Sequence, residues 1–126
     1  MDAEELRRRT KSFALRVLKL CSTLPNTVEG KVIRYQLAKA GTSVGANYRA
    51  ACLSRSRAEF VAKIGVVQEE ADESAFWLEI TIEAGLLKAS RVQTLLKEAE
   101  ELTNIMARSR ISAQRARNAD GKLTSK

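Results

Sequence analysis

Apolar residues recur at intervals of three and four along almost the whole chain, the period of helices that each bury one face. In residues 2–23 the stripe is Leu6, Phe13, Val17 and Leu20, carried on to Leu24, with Ala14, Leu18 and Cys21 widening it. Asp2, Glu4 and Glu5 stand in its opening turn, where carboxylates favour the positive end of the helix dipole. Leu24-Pro25-Asn26 closes it, because proline disfavours helical geometry in the residue before it. A second helix opens at Asn26 or Thr27 and runs to Cys52, its inner side marked by Val28, Val32, Ile33, Leu37, Ala40, Val44 and Tyr48. Its middle is built of small residues, among them Ala38, Gly41, Ser43, Gly45 and Ala46. Two glycines there would be costly in a helix without a close neighbour, so they predict a tight helix contact, with a loop over Gly41–Gly45 as the alternative.

Ser54 or Ser56 caps the third helix, and Ser56-Arg57-Ala58-Glu59 reads as a capping box. Its stripe is Phe60, Ile64, Val67, Ala71, Ala75, Leu78 and Ile82, and Gly85 supplies the stop. The span is about thirty residues, or about 45 Å at 1.5 Å per residue. The fourth helix opens near Ser90 with Val92, Leu95, Leu96, Ala99, Leu102, Ile105 and Met106. Beyond Arg110 apolar residues thin out, so residues 1–113 are expected to form the folded unit and 114–126 a basic, frayed tail. Four amphipathic helices joined by short turns predict an all-α protein, an antiparallel up-down-up-down four-helix bundle.

Composition narrows the chemistry. The 126 residues include one proline, six glycines, two cysteines and no histidine. Ser-His and Cys-His nucleophile pairs, imidazole zinc sites and the Glu-x-x-His ligands of di-iron bundles are therefore excluded. The expectation is a protein that is not an enzyme and uses no cofactor and no metal. Cys21 and Cys52 are far apart in sequence and read as small buried hydrophobes. The acidic opening is unlike a secretory leader and no apolar run suits a membrane span, so a cytoplasmic protein with no membrane partner is expected.

The net charge of +7 is segregated. Residues 1–63 carry a net of +8, residues 64–101 a net of −6 and residues 102–126 a net of +5. Three basic groups stand out: Arg49, Arg55, Arg57 and Lys63 around the second turn; Arg7, Arg8, Arg9 and Lys11 near the start; Arg108, Arg110, Arg115 and Arg117 near the end. In an antiparallel bundle these segments meet at one pole. That pole suits phosphate, with salt-sensitive affinity and little sequence selectivity. The chain lacks the aromatic interleaving of single-strand readers, with only Tyr48 nearby, so structured RNA or DNA is the first candidate partner. A protein partner and a merely solvated basic pole are the alternatives. The acids Glu69, Glu70, Asp72, Glu73, Glu79 and Glu83 on the third helix suit ion pairing with the basic second helix, within or between chains, better than a cation. Phe76 and Trp77 are adjacent and cannot both face one core. Trp77, with Ile80 and Val66 on the same second face, is read as the interface of a homo-oligomer.

The run Ser43-Val44-Gly45-Ala46-Asn47-Tyr48-Arg49-Ala50-Ala51, with Arg55-Ser56-Arg57-Ala58-Glu59-Phe60, Lys63-Ile64-Gly65 and Glu69 through Glu79, resembles the bacterial four helix bundle protein family, also called the 23S rRNA intervening-sequence protein family. The likeness covers about residues 10–110. It implies a small antiparallel bundle, a homopentamer in several members, and association with RNA or DNA. A related protein, the accessory variability determinant of diversity-generating retroelements, engages a reverse transcriptase, so an adaptor for such a neighbour-encoded protein is the second functional reading. Where members commonly carry Glu-Gly, this chain has Arg49-Ala50, which adds positive charge to the pole.

Overall fold

The computed structural model describes residues 1–124 as four α-helices, α1 (Ala3–Cys21), α2 (Val28–Cys52), α3 (Arg57–Glu83) and α4 (Ala89–Thr124), with no strand among the described residues. The first three starts are side-chain caps. Asp2 Oδ1 accepts from the Glu5 N–H at 2.8 Å, Thr27 Oγ1 from the Gly30 N–H at 3.1 Å, and Ser56 Oγ from the Glu59 N–H at 3.1 Å. The reciprocal bond of the capping box is shifted by one residue: Glu59 Oε2 accepts from the Arg55 N–H at 3.2 Å. At the end of α3, Gly85 takes a φ of +71°. The Leu86 N–H then reaches the Thr81 carbonyl at 3.1 Å and the Gly85 N–H the Ile82 carbonyl at 3.0 Å, which closes the last turn.

All four helices contribute to one core, whose fully buried side chains include Phe13, Leu37, Ile64, Leu78, Leu102 and Met106. Helix α2 is continuous through Gly41 and Gly45. Val17 lies against Gly41 and the Thr10 backbone against Gly45. The Cys21 thiol reaches the Arg34 carbonyl at 3.7 Å. The buried hydroxyls of Thr10, Ser74 and Thr81 each donate to the carbonyl four residues earlier, so they enter the core satisfied.

Two sequence expectations need correction. Val28 and Val32 are exposed, and so is Leu18. At about 100° per residue, Val28 sits about half a turn from the buried Leu37, and Val32 about 100° from the buried Ile33. The inner face of α2 is set instead by Ile33, Leu37, Ala40, Val44 and Tyr48. The second correction concerns the tail. α4 continues through residue 124, although only residues 1–113 were expected to be folded. Its last turns have partners: Gln114 donates to Asn118 at 3.0 Å, and Asp120 meets Arg57 of α3 at 2.6 Å. Residues 125–126 of that expected tail lie outside the described residues.

Burial pushes the Cys21 thiol up to about 11, opposed by nearby Arg34. The folded state thus keeps a proton that the unfolded chain releases at an ordinary thiol pKa. Stability is therefore expected to be intact below pH 8 and to decline between about pH 9 and 11. Chemical denaturation across that range should show the decline, and Cys21→Ala should flatten it. An equal decline in the variant would show that the thiol is not its source.

Candidate nucleic-acid interface

The start of α1, the turn between α2 and α3, and the late turns of α4 line one depression of about 800 Å³. Arg7, Arg55 and Arg57 border it, with Tyr48 and Cys52 between them. Tyr48 is buried there and is held protonated up to about 12, first by burial and then by its contact with Cys52. A groove of about 520 Å³ between α1 and α2 adjoins it and shares Arg7, adding Arg8, Lys11 and Arg49. A third depression, of about 730 Å³, holds Arg9 and Arg108 between α1 and α4. Segments distant in sequence are thus brought to one end of the molecule.

The cations there are not equivalent. Arg9 belongs to the fold: its Nε and Nη2 donate to the two oxygens of Glu98 at 2.6 Å each, and Nη2 also to Glu101 at 2.6 Å. Those bonds, Glu98's first, hold its guanidinium charged well above the ordinary arginine range. Arg110 Nε donates to Gln68 of α3 at 3.1 Å, which makes it a packing residue. Arg57 is paired with Asp120, Arg8 with Glu4 at 3.1 Å and Lys63 with Glu59 at 2.8 Å. The bond from Lys63, then that from the Arg55 N–H, hold the Glu59 carboxyl below its usual range. Arg7, Arg49, Arg55 and Arg108 are exposed, and their guanidinium groups make no ion pair or hydrogen bond among the described residues. Of the twelve cations in the three basic groups singled out in the sequence, these four, with the exposed Lys11, Arg115 and Arg117, have no such partner among the described residues and are available for a ligand. Pairing within the chain was the signal that distinguishes them, and it depends on contacts far apart in sequence.

The acidic side of α3 is separate. Burial, then Glu73, raises the Glu70 carboxyl, against the opposing charge of Lys39. None of the acids between Glu69 and Glu83 forms an ion pair among the described residues, so within one chain the expected pairing with α2 is limited to the field of Lys39 on Glu70. No group of three or more His, Cys, Asp or Glu is placed to hold a metal ion among the described residues.

On the face read as an interface, Trp77 and Ile80 are half-buried against the core and Val66 is exposed. The outward ring is Phe76, 50% exposed, and it meets Trp77 edge-on at 5.0 Å with an interplanar angle of 79°. Trp77 packs its rings inward, and its Nε1 is buried without a hydrogen-bond partner among the described residues. The adjacency of the two rings showed that one must point away; which one depends on how α3 is rotated against its neighbours.

No helix of the described residues is long and apolar enough to cross a membrane. A family model described as 23S rRNA-intervening sequence protein matches residues 4–108. The chain is similar to a crystal structure of a protein of unknown function from the S23 ribosomal protein family of Bacteroides thetaiotaomicron, with 29% identity and a TM-score of 0.75. That likeness covers 80% of this chain and 94% of the other. No curated protein sequence matches the chain.

Proposed function

Since the chain belongs to the 23S rRNA-intervening sequence protein family, we propose that it is a cytoplasmic, non-enzymatic, antiparallel bundle that self-assembles and binds RNA or DNA through its basic end. The observation that carries this reading is the gathering of Arg7, Arg49, Arg55 and Arg108, drawn from three separate helices and the turn after α2, with no carboxylate paired to them among the described residues. Cations that serve only solubility have no reason to collect in adjoining depressions. Phosphate contacts fix position without reading sequence, so the binding is general and salt-sensitive. Self-assembly is supported by the exposed Phe76 and Val66 beside Trp77 and Ile80, a second apolar face on a helix already buried on one side. The pentamer is the form that the family likeness favours.

Titration of a labelled RNA hairpin and a DNA duplex by fluorescence anisotropy tests the reading. If four arginines each neutralise one phosphate of the duplex, affinity should fall about 100-fold between about 50 and 200 mM salt. Arg55→Glu should weaken binding more than Arg57→Glu, because Arg57 already has Asp120 as a partner. Absence of binding at low salt, or binding indifferent to salt, defeats the proposal and leaves the protein-adaptor reading.

A further inference from the structure

The groove between α1 and α2 is basic: Arg7, Arg8, Lys11 and Arg49 line it, over a floor of Ala14, Thr42, Gly45 and Ala46. Tyr35, Thr42, Ala46 and Arg49 follow spacings of seven, four and three, so they share one stripe of α2. Lys11, Ala14 and Leu18 do the same on α1. Followed away from the basic groove, the two stripes lead to Leu18 on α1 and Tyr35 on α2. Tyr35 is 64% exposed and Leu18 45% exposed. Neither ring nor chain serves the core, and the Tyr35 hydroxyl has no hydrogen-bond partner among the described residues.

We infer that this groove holds one unpaired nucleic-acid strand, its phosphates on Arg7, Lys11 and Arg49 and a base stacked on the Tyr35 ring. The inference rests on the nucleic-acid reading above and specifies the form of ligand and its track. Arg49 and Tyr35 are about 21 Å apart along α2, a span of about six phosphates at stacked spacing and fewer when the strand is extended. Val17 against Gly41 and the Thr10 backbone against Gly45 draw the two helices close together beneath the groove. A duplex hides its base faces, and Tyr35 and Leu18 would then have nothing to take. Aromatic rings that stack bases beside a basic track are how unpaired strands are bound without sequence preference. Arg8, at the basic end of the track, is already paired with Glu4.

The test uses the full chain with fluorescein-labelled twelve-nucleotide oligo(dT), oligo(rU) and a duplex of the same length. Oligo(dT) or oligo(rU) should bind more tightly than the duplex, and the two strands report whether DNA or RNA is preferred. Tyr35→Ala should weaken single-strand binding about fivefold or more, while Tyr35→Phe keeps it. Arg7→Glu with Arg49→Glu should lower the slope of log affinity against log salt by about 1.4, two single-strand contacts' worth. Arg16→Glu with Lys19→Glu makes the same change of charge in a separate depression beside Arg91 and should leave affinity near that of the parent. An equal loss in that control, tighter binding of the duplex, or a Tyr35→Ala variant that binds normally but has a smaller assembled mass would each overturn the groove. If Arg55→Glu abolishes binding while the groove variants do not, the basic end stands and the track falls. If no probe binds at low salt, both fall.

Discussion

Phe13→Ala is expected to lower the unfolding free energy by about 3–5 kcal/mol, the usual cost of emptying a fully buried aromatic site. For a chain of this size that corresponds to a fall in Tm of about 10–20 °C. Phe13 is 0% exposed and sits in α1, among buried residues drawn from all four helices. The other two phenylalanines grade the effect. Phe60 is half-buried against the core, so Phe60→Ala should cost an intermediate amount. Phe76 is half in solvent, and in dilute protein Phe76→Ala should change stability by less than about 0.5 kcal/mol. Its effect belongs elsewhere: if α3 is an assembly face, light scattering should show Phe76→Ala as a smaller particle than the parent. Thermal and urea unfolding of the three variants reads the order. A Phe76→Ala variant as unstable as Phe13→Ala would place that ring in the core, and an unchanged mass would remove it from the assembly face.

The phenylalanines also show how far the sequence was legible. A stripe at three- and four-residue spacing identifies a helix and its main buried face, and α1 and the core of α3 follow it residue by residue. A helix packed between two neighbours buries more than one narrow stripe, and spacing alone does not say how far the burial extends round it. Val28 and Val32 therefore looked internal by hydrophobicity and lie outside the arc covered by α1 and α3. Phe76 and Trp77 were separated by rotation of α3 for the same reason. The length of α4 was hidden differently. Apolar residues do thin out after Arg110, but Asp120 finds Arg57 at 2.6 Å, and such a partner is invisible to periodicity.

The basic end was legible from topology. Consecutive helices joined by short turns bring the start of α1, the second turn and the end of α4 together whatever their side chains, so the meeting of Arg7, Arg55 and the late α4 residues followed from helix order. The state of each cation did not. Arg9 has the same sequence surroundings as Arg7 and Arg8, yet it alone lies on the side of α1 that meets Glu98 and Glu101. The unpaired set is what remains after the fold has used its share. Tyr35, the ring proposed to stack a base, was not singled out because it lies fourteen residues from Arg49 along α2 and shares its stripe only once α2 is known to be unbroken.

That unbroken helix makes the glycines the second sensitive point, and adding one methyl group at each should give opposite signs at different sites. At Gly30 a Cβ would stand 1.9 Å from the Pro25 carbonyl oxygen, a backbone atom that side-chain rotation does not move. Gly30→Ala must shift the turn between α1 and α2, and a loss of about 3 kcal/mol or more is expected, the upper part of the range for overpacking. At Gly41 a Cβ would meet Val17 at 2.7–2.9 Å, including its branched Cβ, which has no flexible end to swing away. Gly41→Ala should cost about 1–3 kcal/mol, and the double variant with Val17→Ala should cost less than the two single effects added. At Gly65 the added carbon would find only Arg110 Cδ at 3.8 Å, an ordinary contact. There the better helix propensity of alanine is left unopposed, and Gly65→Ala should stabilise the protein by up to about 1 kcal/mol. Urea unfolding of the set measures all three. A neutral Gly30→Ala would mean that the α1–α2 turn yields easily, and additivity at Gly41 would mean that Val17 is not what holds the two helices at their distance.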